Sequence, residues 1–374
     1  MSHWASLGDL QQIVVGLTSR LYKRNGRRVS TDGIIGRTLH SMCLAVRGAQ
    51  RLIDHASIAM VRHRLTPTSV GVRPRIAFFT IVLNGEPWLE INIRHIYPYA
   101  TQIFIVEGAT QADGRKHYWD GDATGYCTTD GHSIDDTRTI LRRLVDEYDP
   151  EGKIHVITYD GPWNGKTEMC NSFLHLVDAN YLWQLDVDEF YHAADIERII
   201  AYLEDHPDVT SVMFYAKYFF GSLRSIIAGQ FGNGSLEWLR IFKFHKDFVW
   251  LRHEPPRYGD PTTGKTVETI TPLSKEETKA MGVYMYHYSY VLEDAIRFKE
   301  QFFYNPGLFS CLKRIRLQLA KGENPVEVHL QKLDSFGDLF VVPFTGSHPE
   351  PIVEHWDELL RLEIKTANAG HAIP

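Results

Sequence analysis

The sequence predicts an α/β fold built on a mostly parallel sheet, and three observations carry that prediction. Between residues 75 and 190, strand-like apolar runs alternate with helix-like stretches, the pattern of a parallel sheet with helices on both faces. The first run, Ile76 to Leu83, is apolar almost throughout, as expected of a strand covered on both faces. The fourth run ends on a pair of carboxylates, Asp186 and Asp188, at the strand end where open α/β sheets hold ligands.

In chain order, residues 1–70 read as helical, with imperfectly spaced apolar residues set between basic ones from Thr38 to Arg64. The run Thr66-Pro67-Thr68 and then Gly71-Val72-Arg73-Pro74 breaks the pattern and reads as a linker. Residues 1–72 are therefore expected to form a basic helical extension. After the first strand, Pro87 to His95 suits a short helix, and Gln102 to Val106 a second strand ending at Glu107-Gly108. Lys153 to Tyr159 reads as the third strand, Lys166 to Val177 as a helix and Tyr181 to Asp186 as the fourth strand. Beyond Asp188 a helix from Asp195 to Glu204 is expected, with Asp195 as its cap. The β-rich stretches Val209 to Phe220, Trp238 to Phe244, Phe248 to Arg252 and Val283 to Val291 follow, and a helical region begins at Glu293. The expected division is an α/β domain over 73–305 and a helical or irregular C-terminal extension over 306–374.

Composition narrows the function classes. Residues 1–70 carry ten Lys/Arg against three Asp/Glu, so the −6 of the whole chain conceals a net +7 leader and an acidic body. An acidic body argues against nucleic-acid binding, while a basic leader suits a peripheral contact with anionic lipid or a partner. Cys43, Cys127, Cys170 and Cys311 are scattered without a CxxC pair, which gives no zinc signature and fits reduced thiols in the cytoplasm. No apolar run reaches the length of a membrane span, and Met1-Ser2-His3-Trp4 does not open a secretory signal. GxSxG and HExxH are absent, so hydrolase and zincin chemistry lack support.

The carboxylates carry the chemical argument. Residues i and i+2 of a strand point the same way, so a strand continuing to Asp188 aims Asp186 and Asp188 at one spot. Packed carboxylates repel unless a cation lies among them. Hard oxygen ligands suit Mg²⁺ or Mn²⁺, which bind phosphate oxygens as well. The inference is a metal that bridges protein and diphosphate.

The segment Asn171-Ser172-Phe173-Leu174, followed by Tyr181-Leu182-Trp183-Gln184-Leu185-Asp186-Val187-Asp188-Glu189-Phe190, resembles the core motif of GT-A glycosyltransferases, and within them the family 2-like group. The turn Asn84-Gly85-Glu86 is similar to that group's opening turn. The end of strand two, Ile105-Val106-Glu107, is similar to the β-mannosyl-glycoprotein N-acetylglucosaminyltransferases. The resemblance spans roughly residues 75–300. It implies a Rossmann-like sheet, a nucleoside-diphosphate sugar donor, a glycan or other hydroxyl acceptor, and transfer with inversion. It implies that Asp188, with Asp186 directly or through water, holds the ion, and that Glu107 contacts the nucleoside, although most such enzymes carry Asp there. His287, among four tyrosines from Tyr284 to Tyr290, is similar to the family's late metal-ligating histidine, and imidazole suits Mn²⁺.

Inverting transfer needs a base for the acceptor hydroxyl. Glu254 is the first candidate, its backbone expected to be extended before Pro255-Pro256; Glu189 and Asp260 are the alternatives. Arg240 lies in a strand similar to the family's, and it or Lys243 is expected to face the leaving diphosphate. Lys166, beside Gly165 at a helix start, is a further phosphate candidate. Asn84 and Glu86 complete the expected donor side. Two other readings stand beside this one. A phosphatase with a DxD nucleophile places that motif after its first strand, with Thr or Val two residues on, which this chain does not. A non-catalytic carbohydrate-binding or scaffold protein keeping a GT-A shell should have lost carboxylates that this chain retains.

Overall fold

The computed structural model describes residues 54–65, 69–111, 124–229, 237–302, 307–328 and 339–368. The chain divides into two compact units, Met1–Arg64 and Leu65–Pro374. Within the first, residues 54–64 are helical, and the expected extension otherwise lies outside the described residues. Among the described residues no helix is long and apolar enough to cross a membrane.

The second unit is built on a twisted sheet. Strands β1 (Ile76–Val82), β2 (Gln102–Glu107), β3 (Ile154–Ile157) and β4 (Tyr181–Gln184) are all parallel, in the order β3-β2-β1-β4. The chain winds outward from β1 to β3 and then returns to the far side of β1. The strand order therefore reverses between β1 and β4, and the crevice at their carboxyl ends is where such sheets take ligands. Every residue of β1 but Ile81 is buried. Helices cover the sheet as expected of crossover connections: α1 (Trp88–Ile96), α2 (Thr137–Tyr148) and α3 (Lys166–Ser172). Leu89, Ile93 and Ile96 of α1 pack with Ile140 and Leu144 of α2 in the main core.

Two expectations need correction here. The fourth strand stops at Gln184, and residues 187–188 form a turn closed by Glu189 N donating to Asp186 O at 2.9 Å. The carboxylates thus come from a turn, not from alternation along a strand. The next helix, α4 (Ala193–Asp205), starts earlier than Asp195, with extended His192 at its cap. Asp195 instead sits in the first turn, bonded to Arg198 at 2.5 Å, where a negative charge still favours the helix dipole.

The second half extends the sheet with antiparallel strands. β8 (Glu237–Lys243) pairs with β4, and β6 (Ser211–Phe220) pairs with β8 and with β7 (Ser225–Gly229). Two-residue β5 (Glu189–Phe190) pairs with β12 (Met285–Tyr290), which also runs parallel to β6. The hairpin β9 (Val249–Arg252) and β10 (Arg257–Gly259) stands apart, β11 (Pro272–Leu273) lies beside β6, and α5 (Lys275–Ala280) follows it behind a Ser274–Glu277 capping box. The C-terminal region is not helical throughout. Helices α6 (Glu293–Phe302) and α7 (Leu308–Ala320) lead into β13 (Val326–Val328) and β14 (Leu339–Pro343), and β14 pairs with β7. Helices α8 (Glu350–Glu354) and α9 (Trp356–Asn368) close the chain. Strands β13 and β14, after residue 306, therefore join the same sheet.

Candidate active site

A cavity of about 1180 Å³ opens at the carboxyl ends of β1 and β4. Asn84, Glu86, Lys166, Asp186, Asp188, Arg240, Glu254 and His287 all line it. Glu107, Glu189, Lys243 and Asp260 do not.

Backbone pairing explains the convergence. In the β4–β8 ladder Ile241 faces Trp183, so Arg240 falls beside the end of β4, next to the Asp186 turn. In the β5–β12 ladder His287 faces Glu189, and Tyr288 N donates to Asp188 O at 2.9 Å. His287 is thereby delivered to the carboxylate turn, 100 residues away in the chain. Its ring packs edge-on against Tyr218 at 4.6 Å and Trp238 at 5.2 Å, which fixes its orientation.

Three acids of the turn have different surroundings. Asp186 is the most exposed, at 36%, with Arg240 Nη2 3.7 Å from one oxygen. Asp188 has His287 Nε2 3.3 Å from Oδ1 and Lys299 Nζ 3.8 Å from Oδ2. Burial would raise its pKa, but His287 and Lys299 more than offset that and hold the carboxyl well below its ordinary range. Glu189 is fully buried, and Arg240 grips it with two donors, Nε at 2.8 Å and Nη2 in a closer contact. Burial pushes Glu189 upward against the pull of Arg240. Burial likewise disfavours the Arg240 charge, but Glu189 and Asp186 outweigh it and raise the guanidinium pKa. Glu189 also accepts the Asp186 N–H at 3.2 Å, and Asn92 Nδ2 donates to its carbonyl at 2.6 Å. A carboxylate so enclosed braces the turn; it has no path to an acceptor hydroxyl.

The other candidates sort by face and loop. Lys243, three residues along β8 from Arg240, points to the opposite side of the sheet and donates to Pro207 O, burial lowering its pKa to about 8. Asp260 is buried and accepts from Thr262 N and Thr263 Oγ1 at 2.9 and 3.0 Å. Glu254 lies in the β9–β10 turn at 253–256, not in extended backbone, because the antiparallel hairpin must reverse there. Lys166 Nζ approaches Glu254 Oε2 at 3.6 Å. Their meeting is prepared by Asn171 of α3, which accepts from Trp250 N at 2.9 Å and donates to Trp250 O at 3.0 Å. That residue ties the helix that starts at Lys166 to the hairpin that carries Glu254.

Glu107 closes a different network. It is fully buried; Oε1 accepts from Ser133 N at 2.7 Å and Oε2 meets His132 Nδ1 at 2.8 Å. With both oxygens used inside the protein, its side chain does not reach the cavity, and Gly108 and Thr110 line the wall beside it. Asn84 serves the same loop. Its backbone is left-handed at φ 55°, which asparagine tolerates better than most residues, and its amide accepts from Ile134 N and donates to Tyr126 O, both at 2.8 Å. Glu86 is exposed, and burial together with neighbouring Asp135 and Asp136 raises its pKa despite the Asp136 N–H. The loop also depends on Gly131. At φ 82° a Cβ there would fall 2.7 Å from the carbonyl carbon of Gly161. Gly131→Ala is accordingly expected to cost about 1–3 kcal/mol of stability, measured as a lowered urea midpoint at unchanged slope.

Lys299 and Trp238 were not expected from sequence. Arg240 lies 4.5 Å from the Trp238 ring. Nothing in the helical pattern of Glu293–Phe302 says that one of its lysines meets a carboxylate turn.

Residues 124–265 match the family described as glycosyl transferase family 2. No curated protein sequence matches the chain. Among solved structures, TarS 1–349 from S. aureus is 12% identical over 60% of this chain and 63% of its own, with a TM-score of 0.33; its complex with UDP-GlcNAc aligns over 39% and 34%, at 12% identity and a TM-score of 0.27. This chain thus spans less than two thirds of those relatives. The mannosyltransferase PcManGT from Pyrobaculum calidifontis, in complex with GDP-Man and Mn²⁺, is 15% identical over 89% of this chain and 87% of its own, with a TM-score of 0.34. At such TM-scores these likenesses say nothing about individual residues. The family match covers residues 124–265, and that segment, which includes the Asp186 turn and Arg240, is similar to glycosyl transferase family 2.

Proposed function

We propose that the protein moves a sugar, with inversion, from a nucleoside-diphosphate sugar to a hydroxyl acceptor, with a divalent ion at the Asp186 turn. The observation that carries this reading is the meeting of two cavity-lining carboxylates and a buried imidazole at the switch point of the sheet. Ligand atoms of Asp186, Glu189 and His287 lie within 4.8 Å of one another, and the buried His287 Nδ1 has no hydrogen-bond partner. Two hard oxygens and one imidazole suit Mn²⁺ or Mg²⁺. Because Glu189 is taken up by Arg240, Asp186 and His287 would hold the ion, and Asp188, which lines the cavity beside them, would supply the second oxygen. When bound, the ion stabilises charge on the departing diphosphate.

The chain's own groups account for the rest. Glu254 takes the proton of the acceptor hydroxyl as that oxygen bonds to the anomeric carbon. The bond from that carbon to the diphosphate oxygen breaks, and its electron pair leaves with the diphosphate. Lys166, paired to Glu254, holds the carboxylate at the cavity wall. Arg240, kept charged by Glu189, presents its positive edge toward Asp186 and the cavity. Glu254→Gln should slow transfer by at least about 100-fold while the donor dissociation constant stays near its wild-type value. Calorimetric donor titration beside a transfer assay checks this. Wild-type transfer by Glu254→Gln would remove the base assignment, and a collapse of donor affinity would make Glu254 a donor-site residue.

A further inference from the structure

Lys299, on α6, faces Asp188 from outside the family-matched segment. Its Nζ is 3.8 Å from Asp188 Oδ2 and donates to Ser289 Oγ, and its side chain is 20% exposed at the cavity. The opposite carboxylate oxygen faces His287 Nε2. Both oxygens of the residue expected beside the ion are therefore already attended by protein groups. Arg240 faces Glu189 and Asp186 instead, at 2.8 and 3.7 Å. An ammonium this near the turn opposes a divalent ion by direct repulsion. It also rides on a flexible four-carbon stem that can turn toward a phosphate.

We propose that Lys299 is the resident counter-cation of Asp188: it holds the turn before the ion arrives, is displaced from Asp188 by the ion, and passes to the diphosphate. This rests on the ion site proposed above. It makes Lys299 a positioning residue in the free protein and a diphosphate contact in the loaded one. The exchange keeps the turn from being left as bare, repelling carboxylates, and couples ion entry to the readiness of a phosphate ligand.

Calorimetry on the full chain tests it with Mn²⁺ alone and with inorganic pyrophosphate added to the Mn²⁺-loaded protein. Lys299→Met removes the charge and keeps the stem. It should tighten Mn²⁺ by about tenfold or more, the equivalent of ~1.4 kcal/mol, and weaken pyrophosphate by a similar factor. Lys299→Arg should restore pyrophosphate binding at least in part, and thermal melts confirm that each variant is folded. A purely structural lysine would lose both ligands together. Unchanged or weaker Mn²⁺ binding by folded Lys299→Met overturns the proposal, as does unchanged pyrophosphate binding. If the wild-type chain binds no Mn²⁺, the ion site and this proposal fall together. If wild type binds and Lys299→Met binds identically, the ion site stands and the role of Lys299 is refuted.

Discussion

Replacing Arg240 with Met should destabilise the protein by about 3–5 kcal/mol, because it leaves Glu189 buried without its partner. That is a large share of the ~5–15 kcal/mol by which whole domains are stable. Glu189 is fully enclosed, and Arg240 supplies both of its strong donors. Removing both charges together should cost far less: Arg240→Met with Glu189→Leu is expected to recover most of the loss. The pH dependence has a definite sign. Burial already raises the Glu189 pKa in the folded state, and without Arg240 it rises further. A carboxyl raised on folding loses stability as pH rises, since the folded state then binds more protons than the unfolded. The gap between Arg240→Met and wild type should therefore narrow as the pH falls from 8 toward 5. Urea denaturation across that range measures it. A gap that is constant with pH would mean that Glu189 does not carry the cost.

Much of this site is legible in the sequence, and the reasons differ residue by residue. The strands that hold it announce themselves through continuous apolar runs, as in Ile76–Val82 and Tyr181–Gln184. Asp186 and Asp188 stand out because the pair follows a buried strand, and both line the cavity. His287 is found through resemblance. What escapes is pairing in space. Arg240 and Glu189 were read as separate actors, one toward the diphosphate and one toward the acceptor, yet two strand ladders bring them together into one buried ion pair. Glu107 was placed by its position after β2, but the His132–Ser133 loop that absorbs it comes from a separate part of the chain. Short strands such as Val326–Val328 carry too few residues for a period-2 signal, so the return of the C-terminal region into the sheet was hidden. Lys299 has the same cause: helical periodicity tells which face of α6 is apolar, not what that face meets.

Metal-assisted turnover of a nucleotide sugar is the central claim, and one assay tests it most directly. The full chain is incubated with UDP-, GDP- and dTDP-sugars in Mn²⁺, and then with EDTA. At least one donor should be consumed in Mn²⁺. Chelation should slow that reaction by about two to four decades, as expected when several kcal/mol of charge stabilisation are withdrawn, and Mn²⁺ or Mg²⁺ added in excess should restore it. Asp188→Ala should not be restored. Equal donor turnover with and without EDTA, by wild type and Asp188→Ala alike, would contradict the account.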